Sequence, residues 1–235
     1  MTRIRIFGAG AAGAKIVHLI QWELSDLFEV EGFYDDRRDL ASGPGGYPIF
    51  GSIADGVEWT ASGKAAAVIA LGMKSAAKAA SLFLKLDGAG VALPSLIARS
   101  AHVSPAGRIG RGTVIFPNCY FGHDAELGHL CSVSAAAVIE HHAKIKHNVW
   151  ISTAAVVGAF SAVSSHALIG IAAVIVPEVR VGRGTLVGAG TIVMKSVGDH
   201  VVVLGNPGRV IRKVQAGDEL ATEQEIQSLG EIGWD

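Results

Sequence analysis

Apolar positions in the second half of the chain recur every sixth residue. From Ile97 they run through Val103, Ile109, Ile115, Phe121, Leu127, Val133, Ile139, Ile145, Ile151, Val157, Val163, Ile169, Ile175, Val181 and Val187 to Val193, with none missed. The fourth residue after each is small, from Ala101 through Cys119, Cys131 and Thr185 to Val197. With about half of positions apolar, an unbroken series of this length arises by chance on the order of once in 10⁵. A period of six suits neither an α-helix nor one long alternating strand. It predicts a triangular parallel β-helix. Each short strand sends one aliphatic side chain into the prism, a small residue fills the corner, and three hexads close one coil.

The first 92 residues are patterned differently. Ile4-Arg5-Ile6-Phe7 reads as a strand, Gly8-Ala9-Gly10-Ala11-Ala12-Gly13 as a glycine-rich turn, and 14–27 as a helix. Val30 to Tyr34 is a second strand that runs into Asp35-Asp36. Ala66–Leu71 and Gly90–Leu93 read as further strands, and Ser75 to Leu86 as a helix. Strand, GxGxxG turn, helix, and acids about twenty residues on make a Rossmann-like α/β unit. A tight turn that binds nothing is the plainer reading of the same residues. If the turn binds a ligand, Gly8, Gly10, Ala11 and Ala12 offer backbone N–H groups to phosphates at a helix N-terminus. Asp35 and Asp36 then accept hydrogen bonds from a base or ribose. The segment is half a dinucleotide fold, so a mononucleotide-sized ligand suits it better.

Of 235 residues, 50% are hydrophobic and 17% charged, which excludes a disordered chain. A net charge of −1 gives no basic surface for nucleic acid or anionic lipid. The stretch from Val149 to Pro177 has no Asp, Glu, Lys or Arg, but Ser161, Ser164, Ser165 and His166 interrupt it, so it reads as solenoid and not as a membrane span. The N-terminal apolar run is too short for a signal peptide. Cys119 and Cys131 both occupy the small corner slot and read as packing residues of a cytoplasmic protein. The tail from Gly217 to Asp235 has six acids and no Lys or Arg, and carries no functional reading.

The hexads resemble the hexapeptide acyltransferase repeat, whose coils wind left-handed. The order of parts is similar to bacterial sugar O- and N-acetyltransferases of the sialic acid and bacillosamine-pathway types: a small Rossmann-like domain, then Leu93-Pro94-Ser95, then an unbroken β-helix. The resemblance implies a nucleotide-sugar-binding domain over 1–92, a left-handed β-helix over 97–202 and a C-terminal tail over 203–235. It also implies acetyl-CoA as co-substrate, no metal, and a homotrimer with active sites between neighbouring β-helices. The family often has Ser-Gly-His after its first Gly-Ala, where this chain has Gly10-Ala11-Ala12.

Ile139-Glu140-His141-His142-Ala143-Lys144-Ile145 resembles the family's Ile-(Asp/Glu)-His-(Asp/Glu)-x-x-Ile motif. That register puts the general base on His141, with His142 where an orienting acid often stands and Glu140 or Asp124 as substitutes for it. Steps of 18 stack His123, His141 and Ala159, which implies an oxyanion donor at the Ala159 N–H. Trp150 takes the place of a family histidine near the acetyl group, and packing at a subunit interface is an equal reading of it. Asn118 is placed to reach substrate. Ile171 and Ala189 are implied contacts of coenzyme A. Gly205-Asn206-Pro207-Gly208-Arg209-Val210-Ile211 resembles the Gly-x-Pro-Ala-(Lys/Arg)-x-Ile segment that follows the β-helix, which adds Pro207, with Arg209 or Arg212 for a coenzyme phosphate. His102, His129, His147, His166 and His200 read as solvated surface residues.

N-acetylation of a nucleotide-linked amino sugar is the leading expectation and sugar O-acetylation the second. A metallo-β-helix built on His142 and His147, and a non-catalytic binding protein, are readings of other classes.

Overall fold

The structure, a computed structural model, describes residues 1–37, 39–60, 65–215 and 218. The acidic tail, apart from Asp218, lies outside the described residues. The chain divides into two units, Met1–Pro94 and a second that begins at Ser95.

In the first unit β1 (Thr2–Phe7) is central, with β2 (Phe28–Tyr34) and β3 (Ala66–Ile69) parallel on either side. Ile4, Ile6, Phe7 and Phe33 are fully buried, as a parallel sheet covered on both faces requires. α1 (Ala11–Leu19) follows β1, while α2 (Ile53–Thr60) and α3 (Ala76–Gly88) flank β3 in sequence. Because the chain leaves β1 toward β2 and later returns on its other side, the topology reverses at β1. Open α/β sheets bind ligands beyond the strand ends at such a reversal.

Three local readings change. The first helix starts at Ala11 and gives way at Ile20 to a π-helical turn ending at Leu24. Gly90–Leu93 is not a strand: Gly90 turns the chain with φ 72°, and Ala67 N–H donates to Ala92 O (2.9 Å) in place of a ladder. α2 has no counterpart in the sequence reading. Gly56 sits within it, because a β-carbon there would meet the Tyr34 ring at 2.5 Å.

In the second unit β4 through β20 are two-residue strands, from Leu96–Ile97 to Ile192–Val193, and the second residue of each is the predicted aliphatic position. They form three parallel sheets in which each strand pairs with those three before and three after it. Ile139 pairs with Val157, which fixes the step of 18. Every inward residue from Ile115 to Val193 is at most 3% exposed. The small series is buried as well, at most 6% exposed from Thr113 to Thr191. Burial pushes the Cys131 thiol up to about 12 and raises that of Cys119, so both are inert packing groups.

The three faces differ. The first carries Val114, Trp150, Leu168 and Leu186 outward, the second Val138, Val156, Val174 and Ile192, and the third Arg108, Glu126, Lys144 and Arg180. At the edges, every sixth residue from Gly112 to Gly190 takes positive φ. Gly, Asn and Asp tolerate that region. Leu130 (55°), His142 (61°) and Phe160 (59°) are held there by the coil, with backbone bonds such as Leu130 N–H to Arg111 O (2.9 Å).

β21 (Val201–Leu204) continues the first face, and β22 (Arg209–Lys213) folds back antiparallel on it. The predicted tail therefore opens with an ordered hairpin.

The histidines of the third edge, between the third and first faces, are structural and not simply solvated. Arg111 N–H donates to His129 Nδ1 (2.8 Å), His129 N–H to His147 Nδ1 (3.0 Å), and His147 N–H to Ser165 Oγ (3.3 Å). His166 is 5% exposed, with Nδ1 3.0 Å from Asn148 Nδ2. Burial, then Arg183 and His200, pulls its pKa down to about 4. Between pH 6.5 and 4 the unfolded chain therefore binds a proton that the folded chain refuses, and stability falls as pH drops through that window. For His166 the loss approaches roughly 3 kcal/mol. Denaturant midpoints at fixed protein concentration should fall from pH 7 to pH 4.5. His166→Asn, which suits positive φ, should flatten that slope, and an unchanged slope would assign the titration elsewhere.

Candidate active site

Two concentrations of chemistry emerge in the described residues, one in each unit. The first is the glycine turn after β1. A β-carbon at Gly8 would meet Ala70 O at 2.6 Å, and one at Gly13 would meet Gly8 O at 2.3 Å. Both glycines serve packing. Gly10 is different: a β-carbon there would touch only the Arg37 guanidinium, at 3.6 Å. Its missing side chain leaves the turn open beside the α1 N-terminus, where no acidic residue occupies the first turn. An open glycine at a helix N-terminus lets a pyrophosphate reach the backbone.

Asp35 and Asp36 are already engaged. Asp35 accepts from Ala9 N–H (2.7 Å) and is bidentate with Arg37 (3.0 Å at both oxygens). The guanidinium, helped by the Arg37 and Ala9 N–H groups, pulls the Asp35 carboxyl down to about 2 against the opposing cost of burial. Asp36 accepts from Lys78 Nζ (2.5 Å) and Ile53 N–H (2.9 Å), and its pKa is lowered, first by Lys78. Asp35 thus holds the turn in shape from beneath. Beside it opens a cleft of about 500 Å³, lined by Asp35, Asp36, Arg37, Phe50, Ser52 and Asp55 among others. Arg37, half exposed at its rim, is a cation that sequence reasoning missed. Its proximity to Asp35 was visible, but not its position over Gly10.

The second concentration lies along the β-helix. The edge between the second and third faces carries His123, His141 and Ala159 in successive coils, as the step of 18 predicts. Below that edge, Gly122 is required because a β-carbon would strike His141 N at 2.6 Å. On the third edge the Arg111, His129 and His147 N–H groups are capped by side chains of the next coil. Above Ala159 the next coil offers Pro177, which has no polar side chain. Among the described residues the Ala159 N–H has no hydrogen-bond partner. An N–H left bare one strand spacing from an imidazole can receive developing negative charge on a carbonyl oxygen.

The companion residues are Asp124, His142 and Phe160, the positive-φ positions of the same coils. His141 Nδ1 lies 3.1 Å from His142 Nδ1. Asp124 Oδ2 lies 3.1 Å from His123 Nε2 and 3.7 Å from His142 Nε2. Phe160 stacks on His142 (4.8 Å, 26°) and meets His141 edge-on (5.2 Å, 87°). Of the two substitutes expected for the missing acid, Asp124 is the one drawn to His142. Phe160 was not anticipated: a step of 18 from His142 reaches it, but its sequence says nothing of ring contacts.

The other predicted residues gather elsewhere. Asn118, Ile171 and Ala189 lie on the edge between the first and second faces, and Ile171 is 59% exposed there. The β21–β22 hairpin joins them, since Ile192 N–H donates to Gly205 O (3.1 Å) and Gly208 N–H to Ile192 O (2.7 Å), with Pro207 and Arg209 at its tip. Arg209 is exposed, whereas Arg212 is bidentate with Asp218 (2.7 Å). Trp150 projects from the first face, away from the His141 edge. Its indole N–H is buried with no acceptor among the described residues. One protomer therefore carries the two sets on different edges, with the apolar second face between them.

His142 and His147 stand at different edges, and among the described residues no group of three His, Cys, Asp or Glu is disposed to hold a metal. No helix among them is long and apolar enough to cross a membrane.

Behind its α/β domain this chain has the triangular β-helix of hexads of the hexapeptide-repeat acyltransferase superfamily, whose coils wind left-handed. No family model and no curated protein matches the sequence. Among solved structures it is similar to the acetyltransferase domain of PglB from Neisseria gonorrhoeae, solved with acetyl coenzyme A: 25% identity, 89% of this chain, 99% of that chain and a TM-score of 0.82. PerB from Caulobacter crescentus, solved with CoA and GDP-perosamine, matches over 89% of this chain and 97% of that one at 22% identity and TM-score 0.71. WeeI from Acinetobacter baumannii matches over 89% and 100%, at 22% and 0.59.

Proposed function

We propose that the protein transfers the acetyl group of acetyl-CoA to the amine of a nucleotide-linked amino sugar. The observation that carries this is His141 set one coil from the bare Ala159 N–H, on a β-helix similar to an acetyl-CoA-binding acetyltransferase domain. In this reading the amine nitrogen attacks the thioester carbonyl and a C–N bond forms. His141 Nε2 takes the amine proton, and Ala159 N–H holds the oxyanion. The C–S bond then breaks, and CoA leaves as thiolate and regains a proton from the imidazolium or water. Ile171, Ala189, Pro207 and Arg209 hold the coenzyme, with Arg209 against a phosphate. Asn118 contributes to substrate contact.

The N-terminal domain holds the nucleotide. Gly10, Ala11 and Ala12 offer N–H groups to the diphosphate, Arg37 supplies the counter-charge, and Asp35 and Asp36 fix the rim. Since Gly10 alone of the three turn glycines is open, Gly10→Val should leave the melting temperature nearly unchanged while raising the sugar-nucleotide KM about tenfold or more, a loss of ~1.4 kcal/mol. Gly13→Val should instead lower the melting temperature. A Gly10→Val protein with an unchanged KM would mean the open side of the turn faces no ligand.

The working form is a homotrimer in the cytoplasm. The half-buried second face, with Val138, Val156, Val174 and Ile192, supports burial against another copy. So does the division of the site between two edges. The functional test is CoA release on mixing acetyl-CoA with UDP-, dTDP- and GDP-linked amino sugars. Turnover with one of them is expected, and turnover only with a sugar hydroxyl acceptor would favour O-acetylation.

A further inference from the structure

Two imidazoles whose Nδ1 atoms lie 3.1 Å apart cannot both present lone pairs or both present protons there. One must donate. If His142 donates, the neutral His141 keeps its own proton on Nε2 and has no lone pair for a substrate. If His141 donates, its Nε2 is bare and can act as a base. What faces the far nitrogen of His142 decides between these states. That neighbour is the Asp124 carboxylate, 3.7 Å from Nε2, raised from the coil below at the same positive-φ position. A carboxylate favours N–H and repels a lone pair, so it draws the His142 proton to Nε2 and leaves His142 Nδ1 as the acceptor.

We infer that Asp124 and His142 form a two-residue relay that fixes His141 as the Nδ1–H tautomer and steadies the imidazolium formed when Nε2 takes a proton. This rests on the acetyl-transfer reading for its chemistry but not for its geometry. Both are positioning residues: His142 acts through His141, and Asp124 through His142. The remaining neighbours fit the assignment. His123 Nε2 shares Asp124 at 3.1 Å and anchors the carboxylate. Phe160, from the coil above, clamps the His142 ring face-on and the His141 ring edge-on. A bulky residue at φ 59° is uncommon, and here the coil holds an aromatic there against both imidazoles. Glu178 stands one coil beyond Phe160 in the same column.

The test is ¹⁵N NMR of histidine-labelled full-length protein near pH 8, paired with kinetics. In the native protein His141 should carry its proton on Nδ1. In His142→Phe, which keeps an aromatic ring but no acceptor, His141 should shift toward the Nε2–H form. In Asp124→Asn, which suits φ 53° and removes only the charge, the shift should be partial. Both variants should lower kcat about tenfold or more with each KM within about twofold, less than the ~10⁴-fold loss at a buried triad carboxylate. Asn at 142 offers Oδ1 to His141 Nδ1–H and tolerates positive φ, so His142→Asn should recover part of the loss relative to His142→Phe. The relay is overturned if native His141 is the Nε2–H tautomer, or if neither variant moves the tautomer. Native-like tautomer shifts in a protein that acetylates no amino sugar would leave the relay standing and sink the proposed function. Acetyl transfer with an unmoved tautomer would do the reverse.

Discussion

His141→Asn is expected to lower kcat by about two orders of magnitude or more, with little change in either KM, because general-base assistance is typically worth 10²–10⁴-fold. Asparagine roughly keeps the size and one hydrogen bond of imidazole and removes the base. An attacking amine must lose a proton in forming the amide, and among the described side chains of that edge His141 is the one beside the bare Ala159 N–H. His123→Asn is the internal control. It stands one coil lower, is tied to Asp124, and should act mildly. If the two effects were exchanged, the reacting centre would lie one coil away from Ala159. If neither mattered, binding alone would carry the rate.

Val156→Arg is expected to dissociate the proposed homotrimer and remove activity about as completely. Val156 lies midway along the second face, between Val138 and Val174, flanked by an edge with His141 and an edge with Ile171 and Ala189. Placing an unpaired charge in a buried apolar contact typically costs several kcal/mol. The coils themselves should survive, because Val156 points outward while Val157, wholly buried, belongs to the core. Light scattering should report a monomer, far-UV circular dichroism an intact β-helix, and the acetyl-transfer assay a loss of at least about a hundredfold, the scale of one missing catalytic group. A fully active monomer would show that both edges serve one chain.

Much of this architecture was legible because a hexad leaves little freedom. One residue in six must enter the prism and one must be small, so the strands from Ile97 to Val193 and the stack of His141 under Ala159 follow from counting. The contacts between rings do not. Steps of 18 put Asp124, His142 and Phe160 in one column too, but that their side chains meet, from positions where the coil imposes positive φ, shows only in the structure. The engagement of Asp35 by Arg37 and Ala9, and of Asp36 by Lys78, was equally hidden: acids at the end of a strand look free until the turn and α3 close on them. Gly90–Leu93 looked like a strand because its composition is apolar, yet it reaches Ala67 by a single bond. His166 read as polar decoration although the coil buries it against Asn148.

The central claim is that the His141 edge of one copy works with the Ala189 edge of another, and mixing inactive subunits tests it most directly. His141→Asn removes the base and leaves the coenzyme edge intact. Ala189→Trp blocks that exposed edge and leaves the base intact. Each homo-oligomer should be inactive. Unfolded together and refolded at equal concentration, they should regain about a quarter of native activity, since in a cyclic assembly with random partners one contact in four joins two intact halves. Activity that stays at the level of the separate variants would place both halves of the site in a single chain and contradict the account.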